Sequence, residues 1–168
     1  TIFLDEISEL PYHMQGKLLR VLQEQEVERI GGVVSSMIDV RVIAATNRPL
    51  KPLIQEKKFR QDLYYRLRVF PIYIPPLRER KEDIPHLVNF FLDREGRRFG
   101  KTGVHCDEHV HCWLMRHDWT GNVRELKNWI EAAVQLVDGN VITMAAVEWL
   151  MKEETEINHV STLKEELE

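Results

Sequence analysis

Asp5 and Glu6 are adjacent carboxylates that follow directly on the apolar run Ile2-Phe3-Leu4. If that run is a strand of a parallel sheet, its carboxyl end opens on the ligand crevice of an α/β fold. Both acids then face the place where a nucleotide would sit. An aspartate there can hold Mg²⁺ through its water shell, and a glutamate beside it can polarise an attacking water. The plainer alternative is a pair that caps the next helix or lies in solvent, and so short a motif does not decide between them. Thr46-Asn47 end a second apolar run, Val40 to Ala45, at the equivalent place. A polar side chain there can bond a γ-phosphate or the attacking water and so report nucleotide state. A strand-ending Asn turn is the competing explanation.

Arg60 and Arg66 frame the segment Phe59-Arg60-Gln61-Asp62-Leu63-Tyr64-Tyr65-Arg66. Six helical residues turn through about 600°, leaving the two arginines roughly 120° apart, so they cannot serve one group on one face. One could reach a neighbouring subunit's nucleotide, where an arginine stabilises the charge of a transferred phosphoryl group, while the other holds the interface. Pairing on the surface with Asp62 or Glu56 is the alternative. Arg124 falls in the first turn of the helix begun by Gly121-Asn122, where a cation opposes the helix dipole. A phosphate beneath that helix would account for it; so would a solvated pair with Asp118 or Glu125. His105, Cys106, His109, His111 and Cys112 lie within eight residues. His109 and Cys112 could share a helix face, which makes a metal site conceivable beside a partly buried Cys/His-rich helix surface.

Positioning these groups requires particular elements. Residues 13–27 have Met14, Leu18, Val21 and Leu22 at helical spacing. Gly31-Gly32 breaks that pattern, and 27–39 reads as a hairpin or loop excursion. A short helical stretch over 50–66 precedes a third apolar strand, Val69 to Ile74. Strand alternating with helix is the rhythm of a parallel sheet. Pro75-Pro76 is the clearest boundary, beyond which only helices are expected. Ile84, Leu87, Val88, Phe91 and Leu92 make one amphipathic stripe, Val110, Trp113 and Leu114 a second, and Val123 to Val137 a third, with Thr143 capping a fourth. The expected organisation is an α/β part over 1–75, an all-α lid over 76–152 and an acidic tail over 153–168. Ile2-Phe3-Leu4 carries the pattern of a strand covered on both faces, so the chain reads as cut on its N-terminal side.

Composition narrows the class. A hydrophobic share of 43% beside 30% charged residues supports a globular core. A net charge of −4 gives no overall basic signature of a nucleic-acid binder. Two cysteines are too few for a disulfide scaffold, no apolar run is long enough to span a bilayer and no signal peptide is visible, so a cytoplasmic location without membrane attachment is expected.

Six blocks occur in order: Ile-Phe-Leu-Asp-Glu (2–6), Lys-Leu-Leu-Arg-Val-Leu-Gln-Glu (17–24), Val-Arg-Val-Ile-Ala-Ala-Thr-Asn (40–47), Phe-Arg-Gln-Asp-Leu-Tyr-Tyr-Arg-Leu (59–67), Pro-Pro-Leu-Arg-Glu-Arg (75–80) with Glu82-Asp83-Ile84, and Gly-Asn-Val-Arg-Glu-Leu (121–126). Together they closely resemble the central AAA+ domain of sigma-54-dependent transcriptional activators, over about residues 1 to 150. The resemblance implies a partial P-loop NTPase sheet followed by a helical lid. It makes Asp5 and Glu6 the Walker B acids, with Asp5 holding Mg²⁺ through water, and Asn47 with Thr46 the first sensor. Arg60 and Arg66 become arginine-finger candidates, Arg66 preferred, and Arg124 the second sensor. It implies ATP and Mg²⁺ as cofactors, a homo-oligomeric ring of six or seven subunits, and sigma-54 RNA polymerase as partner. The excursion at 31–39 corresponds to the loop before the first sensor, which in the family moves with nucleotide state.

The family's Gly-rich Walker A loop and its Gly-Ala-Phe-Thr-Gly-Ala loop precede Walker B and are not in these 168 residues. Without a backbone nest and lysine for the β/γ-phosphates, the segment alone is expected not to turn over ATP. Without the second loop it lacks the main sigma-contacting surface. Contact with DNA would fall to a helix-turn-helix domain that does not follow here. Thr120 stands where the family usually has proline. Another AAA+ remodeller, or a non-catalytic module that oligomerises or titrates partners, are the rival readings.

Overall fold

The computed structural model describes residues 1–28 and 35–152. The tip of the 27–39 excursion and the acidic tail lie outside the described residues. Two compact units divide the chain between Tyr73 and Ile74.

In the first unit β1 (Ile2–Leu4) and β4 (Val42–Ala44) pair in parallel, with Ile2 opposite Val42 and Leu4 opposite Ala44. Between them come α1 (Tyr12–Glu24) and an antiparallel hairpin of β2 (Glu26–Glu28) and β3 (Ser35–Met37). Helix α1 stops at Gln25, which turns left-handed at φ 55°. Two short helices follow β4, α2 (Leu50–Gln55) and α3 (Gln61–Leu67), where one stretch was expected. The break is the turn at Lys57, another left-handed residue, which drops the buried Phe59 into the core. That core is Ile7, Leu19, Leu53, Phe59 and Leu63, flanked by Leu18 and Leu22. The buried stripe of α1 therefore runs through Gln15, Leu19 and the half-buried Leu18 and Leu22, rotated away from the exposed Met14.

One strand expectation is corrected. Val69–Ile74 forms no strand; the segment is bare, with Phe70 84% and Ile72 77% exposed. A strand needs a partner edge, none borders it among the described residues, and Pro71 removes one donor from its middle. Among the described residues β1 pairs with β4 alone, and its apolar Phe3 is exposed.

The second unit opens with two single 3₁₀ turns, Leu77–Glu79 and Lys81–Asp83, leading into α4 (Ile84–Arg98). Then come β5 (His105–Cys106), α5 (Glu108–Arg116), α6 (Asn122–Leu136) and β6 (Val141–Ile142), and residues 144–152 are helical. The expected apolar stripes are the buried ones: Ile84, Val88, Phe91 and Leu92 of α4 pack with Leu126, Ile130, Ala133 and Val134 of α6 in one core. Asp107 caps α5 by accepting from Val110 N–H at 2.8 Å. Lys101 Nζ closes the other end of α6, donating to the carbonyls of Val134 (2.7 Å), Gln135 and Val137. The unit is not purely helical, because β5 and β6 form a two-residue parallel bridge. Among the described residues of this unit one carboxylate is buried. Glu95, 2% exposed, accepts from Arg94 Nε and Nη2 at 2.8 and 2.6 Å and from Arg98 Nη1 at 3.3 Å. The Arg94 hydrogen bond, opposed by burial and helped by Arg98, holds its carboxyl below the usual carboxylate range. Among the described residues no helix is long and apolar enough to cross a membrane.

Candidate nucleotide site

The parallel register of β1 and β4 brings two predicted pairs to one edge. Ala45 N–H donates to Leu4 carbonyl at 2.8 Å, and Ile7 N–H returns to Ala45 carbonyl at 2.9 Å. Asp5-Glu6 and Thr46-Asn47 therefore leave their strands side by side, all four exposed. Glu6 has φ 49° and ψ 46°, a left-handed conformation that a non-glycine residue adopts at a cost of about 1 kcal/mol. Strain of this kind concentrates at functional positions. Asp5 Oδ1 accepts from Glu6 N–H at 2.9 Å, which fixes the turn and leaves Oδ2 without a partner among the described residues. Thr46 Oγ1 accepts from Arg48 N–H at 3.1 Å and donates to Arg48 carbonyl at 3.0 Å. Arg48 reaches Glu9 at 3.1 Å, so the two strand ends are also bridged by an ion pair across the edge.

Arg60 and Arg66 are held differently. Arg60 is the residue before α3, at φ −77° and ψ 133°, so the helical angle between the two arginines does not apply. Its guanidinium forms a two-pronged pair with Asp62, Nε to Oδ1 at 3.0 Å and Nη2 to Oδ2 at 2.7 Å. That pairing, the Arg60 hydrogen bond foremost, holds the Asp62 carboxyl below its ordinary range. Arg60 also lines an open depression of about 580 Å³ with Tyr12, Phe59 and Tyr65. Arg66 Nη2 donates to Leu22 carbonyl at 2.9 Å, near the end of α1.

In the second unit Arg124 is the third residue of α6, exposed and without an ion pair among the described residues. Glu125, one of the two acids that could have paired with it, is engaged elsewhere: its Oε2 accepts from Gly121 N–H at 2.6 Å, and Oε1 lies 3.1 Å from His117 Nε2. Gly121 is required because a Cβ there would come within 2.9 Å of Glu125 Cβ. Asn122 adopts φ 57° and accepts from Leu77 N–H through Oδ1. The Cys/His-rich stretch does not converge. Cys106 is buried in β5, Cys112 is exposed on α5, and among the described residues no group of three or more His, Cys, Asp or Glu could hold a metal. Burial, with Asp107 beside it, pushes the Cys106 thiol up to about 12.

Gln15 was not anticipated from the sequence. A glutamine amid Lys17, Arg20 and Glu24 reads as a solvent-facing side chain, whereas here it is fully buried. Its place on the Gln15/Leu18/Leu19/Leu22 stripe is the signal that could have found it.

An α/β unit with polar strand ends on one edge, followed by a helical unit, is the two-part architecture of an AAA+ module. The chain belongs to the AAA+ sigma-54-dependent transcriptional activators: the Sigma-54 interaction domain matches residues 1–73 and the AAA+ ATPase lid domain matches residues 78–163. It is 49% identical over 153 residues to the formate hydrogenlyase transcriptional activator FhlA of Escherichia coli K12, covering 91% of this chain and 22% of that protein. It is 49% identical over 147 residues to the Nif-specific regulatory protein of Azotobacter vinelandii, covering 88% of this chain and 28% of the relative. The crystal structure of NtrX from Brucella abortus in complex with ADP superposes with a TM-score of 0.80 at 37% identity, over 86% of this chain and 34% of that one. The chain thus spans about a quarter of these curated relatives.

Proposed function

We propose that this chain is the Walker B-to-lid portion of an ATP-hydrolysing transcriptional activator, which works as a homo-oligomeric ring in the cytoplasm and remodels sigma-54 RNA polymerase to open promoters. The observation that carries the reading is the juxtaposition of Asp5-Glu6 with Thr46-Asn47 on one edge of a parallel strand pair. Glu6 orients the attacking water and Asn47, with Thr46, senses the γ-phosphate. Asp5 suits Mg²⁺: one oxygen is occupied by Glu6 N–H and the other is without a partner among the described residues, and this ion keeps most of its waters and takes few protein ligands. When bound, the ion would neutralise charge on the β- and γ-phosphates. Arg66, with Arg60, completes a neighbour's site, and Arg124 couples the lid to the phosphates. Nucleotide binding is also supported by the relative NtrX, crystallised with ADP and with ATP.

The test is Mg-ATP turnover by the full gene product beside its Glu6→Gln variant. Turnover lost in the variant with nucleotide still bound places the water-activating role on Glu6. No turnover by the wild type at concentrations where it assembles would instead leave a non-catalytic oligomerisation module.

A further inference from the structure

Gln15 spends three of its side-chain hydrogen-bonding directions on two separate segments. Its Nε2 donates to Leu10 carbonyl at 2.9 Å and to Lys58 carbonyl at 3.0 Å, and its Oε1 accepts from Arg60 N–H at 2.8 Å. Two carbonyls and one N–H leave the amide a single consistent orientation. The residue is completely buried, so breaking the set would strand polar backbone groups without water. Leu10 closes the 3₁₀ turn Ile7–Glu9 that follows Glu6, and Ile7 is bonded to Ala45 on the neighbouring strand. One amide therefore joins the segment leaving the acid pair to the backbone from which the Arg60 guanidinium projects. Helix α1 borders the guanidinium as well: a Cβ on Gly16 would stand 3.6 Å from Arg60 Nη1, in ordinary contact.

We propose that Gln15 is a positioning residue for catalysis, holding the backbone of Arg60 so that its guanidinium reaches the neighbouring subunit's nucleotide. The inference rests on reading Arg60 as an arginine supplied in trans. A group that acts only on the transition state changes turnover rather than substrate affinity. Gln15→Met keeps the volume and removes the three bonds.

The experiment uses the full gene product. Gln15→Met should lower kcat for ATP roughly ten- to a hundredfold while KM changes less than about threefold. The double variant with Arg60→Ala should be no slower than Arg60→Ala alone. Mixed rings give the decisive readout. A Glu6→Gln subunit has a dead site and a sound arginine; a Gln15→Met subunit has a sound site and a misplaced arginine. Mixing the two should restore turnover above either alone, as should mixing Glu6→Gln with Arg60→Ala. Recovery with Arg60→Ala but not with Gln15→Met overturns the role of Gln15 and leaves the trans arginine standing. Recovery with neither removes the trans arginine, and this inference with it. Should Gln15→Met fail to assemble, Gln15→Asn, whose amide falls one methylene short of its partners, carries the same prediction.

Discussion

The side-chain carbonyl of Asn122 accepts a 2.8 Å hydrogen bond from the backbone N–H of Leu77, 45 residues earlier in the chain. It anchors the entry of the lid to the start of α6 from a backbone held at φ 57°. Asn122→Ala should cost about 2–3 kcal/mol, from a lost hydrogen bond and left-handed strain. Asn122→Gly should recover about 1 kcal/mol of that, since glycine accepts the conformation but not the bond. Urea melts of the three proteins separate the two contributions. Equal losses for Ala and Gly would show that conformation contributes nothing there.

Glu95 sets an acid limb to the stability of the second unit. Its carboxyl lies below the ordinary range when folded, so the unfolded chain binds the proton more readily. The stabilisation is therefore fully present above the unfolded carboxylate value, about 4.3, and is lost as pH falls through the lower folded value. Glu95→Gln should lower stability by about 1–3 kcal/mol at neutral pH, with the gap closing as pH drops below about 4. A gap that stays constant with pH would assign the effect to packing alone.

The two thiols should behave oppositely. Cys106 is buried, with its thiol pushed up to about 12, whereas Cys112 is exposed. At mildly alkaline pH a thiol reagent should modify Cys112 in the native protein and reach Cys106 only after denaturant is added. Mass spectrometry of the peptides checks the order; native labelling of Cys106 would mean that the β5–β6 bridge opens readily.

Lys101 donates to three carbonyls at the end of α6. Replacing it by Met keeps the stem and removes the donors, at a cost of about 1–2 kcal/mol. Hydrogen exchange should rise in the last turn of α6 and not in its first. Uniform acceleration along the helix would point to a general loss of packing instead.

How far the sequence could be read depended on the range of the determining interaction. Asp5-Glu6 and Thr46-Asn47 could be matched because each closes an apolar run, and parallel pairing alone brings such ends together. The stripes of α4 and α6 were legible for the same reason, since their burial repeats at every turn. The helical angle between Arg60 and Arg66 fails because α3 begins one residue after Arg60. Gln15 escaped because its burial depends on Lys58 and Arg60, more than forty residues away. The two-residue bridge between β5 and β6 is too short to leave any periodicity. Val69–Ile74 has every local mark of a strand, but a strand is defined by its partner.

The aromatic residues are segregated. All four tyrosines fall before Ile74 and all four tryptophans after it. Trp113, Trp119 and Trp129 form one cluster, with ring centroids 5.1 to 6.5 Å apart. Tryptophan emission consequently reports on the lid alone, and the clustered indoles should give a coupled near-ultraviolet dichroism that vanishes as soon as that core loosens. Tyrosine absorbance reports only on the first unit. The molecule thus carries two spectrally distinct internal dyes, and loosening of either half can be followed in the unlabelled protein.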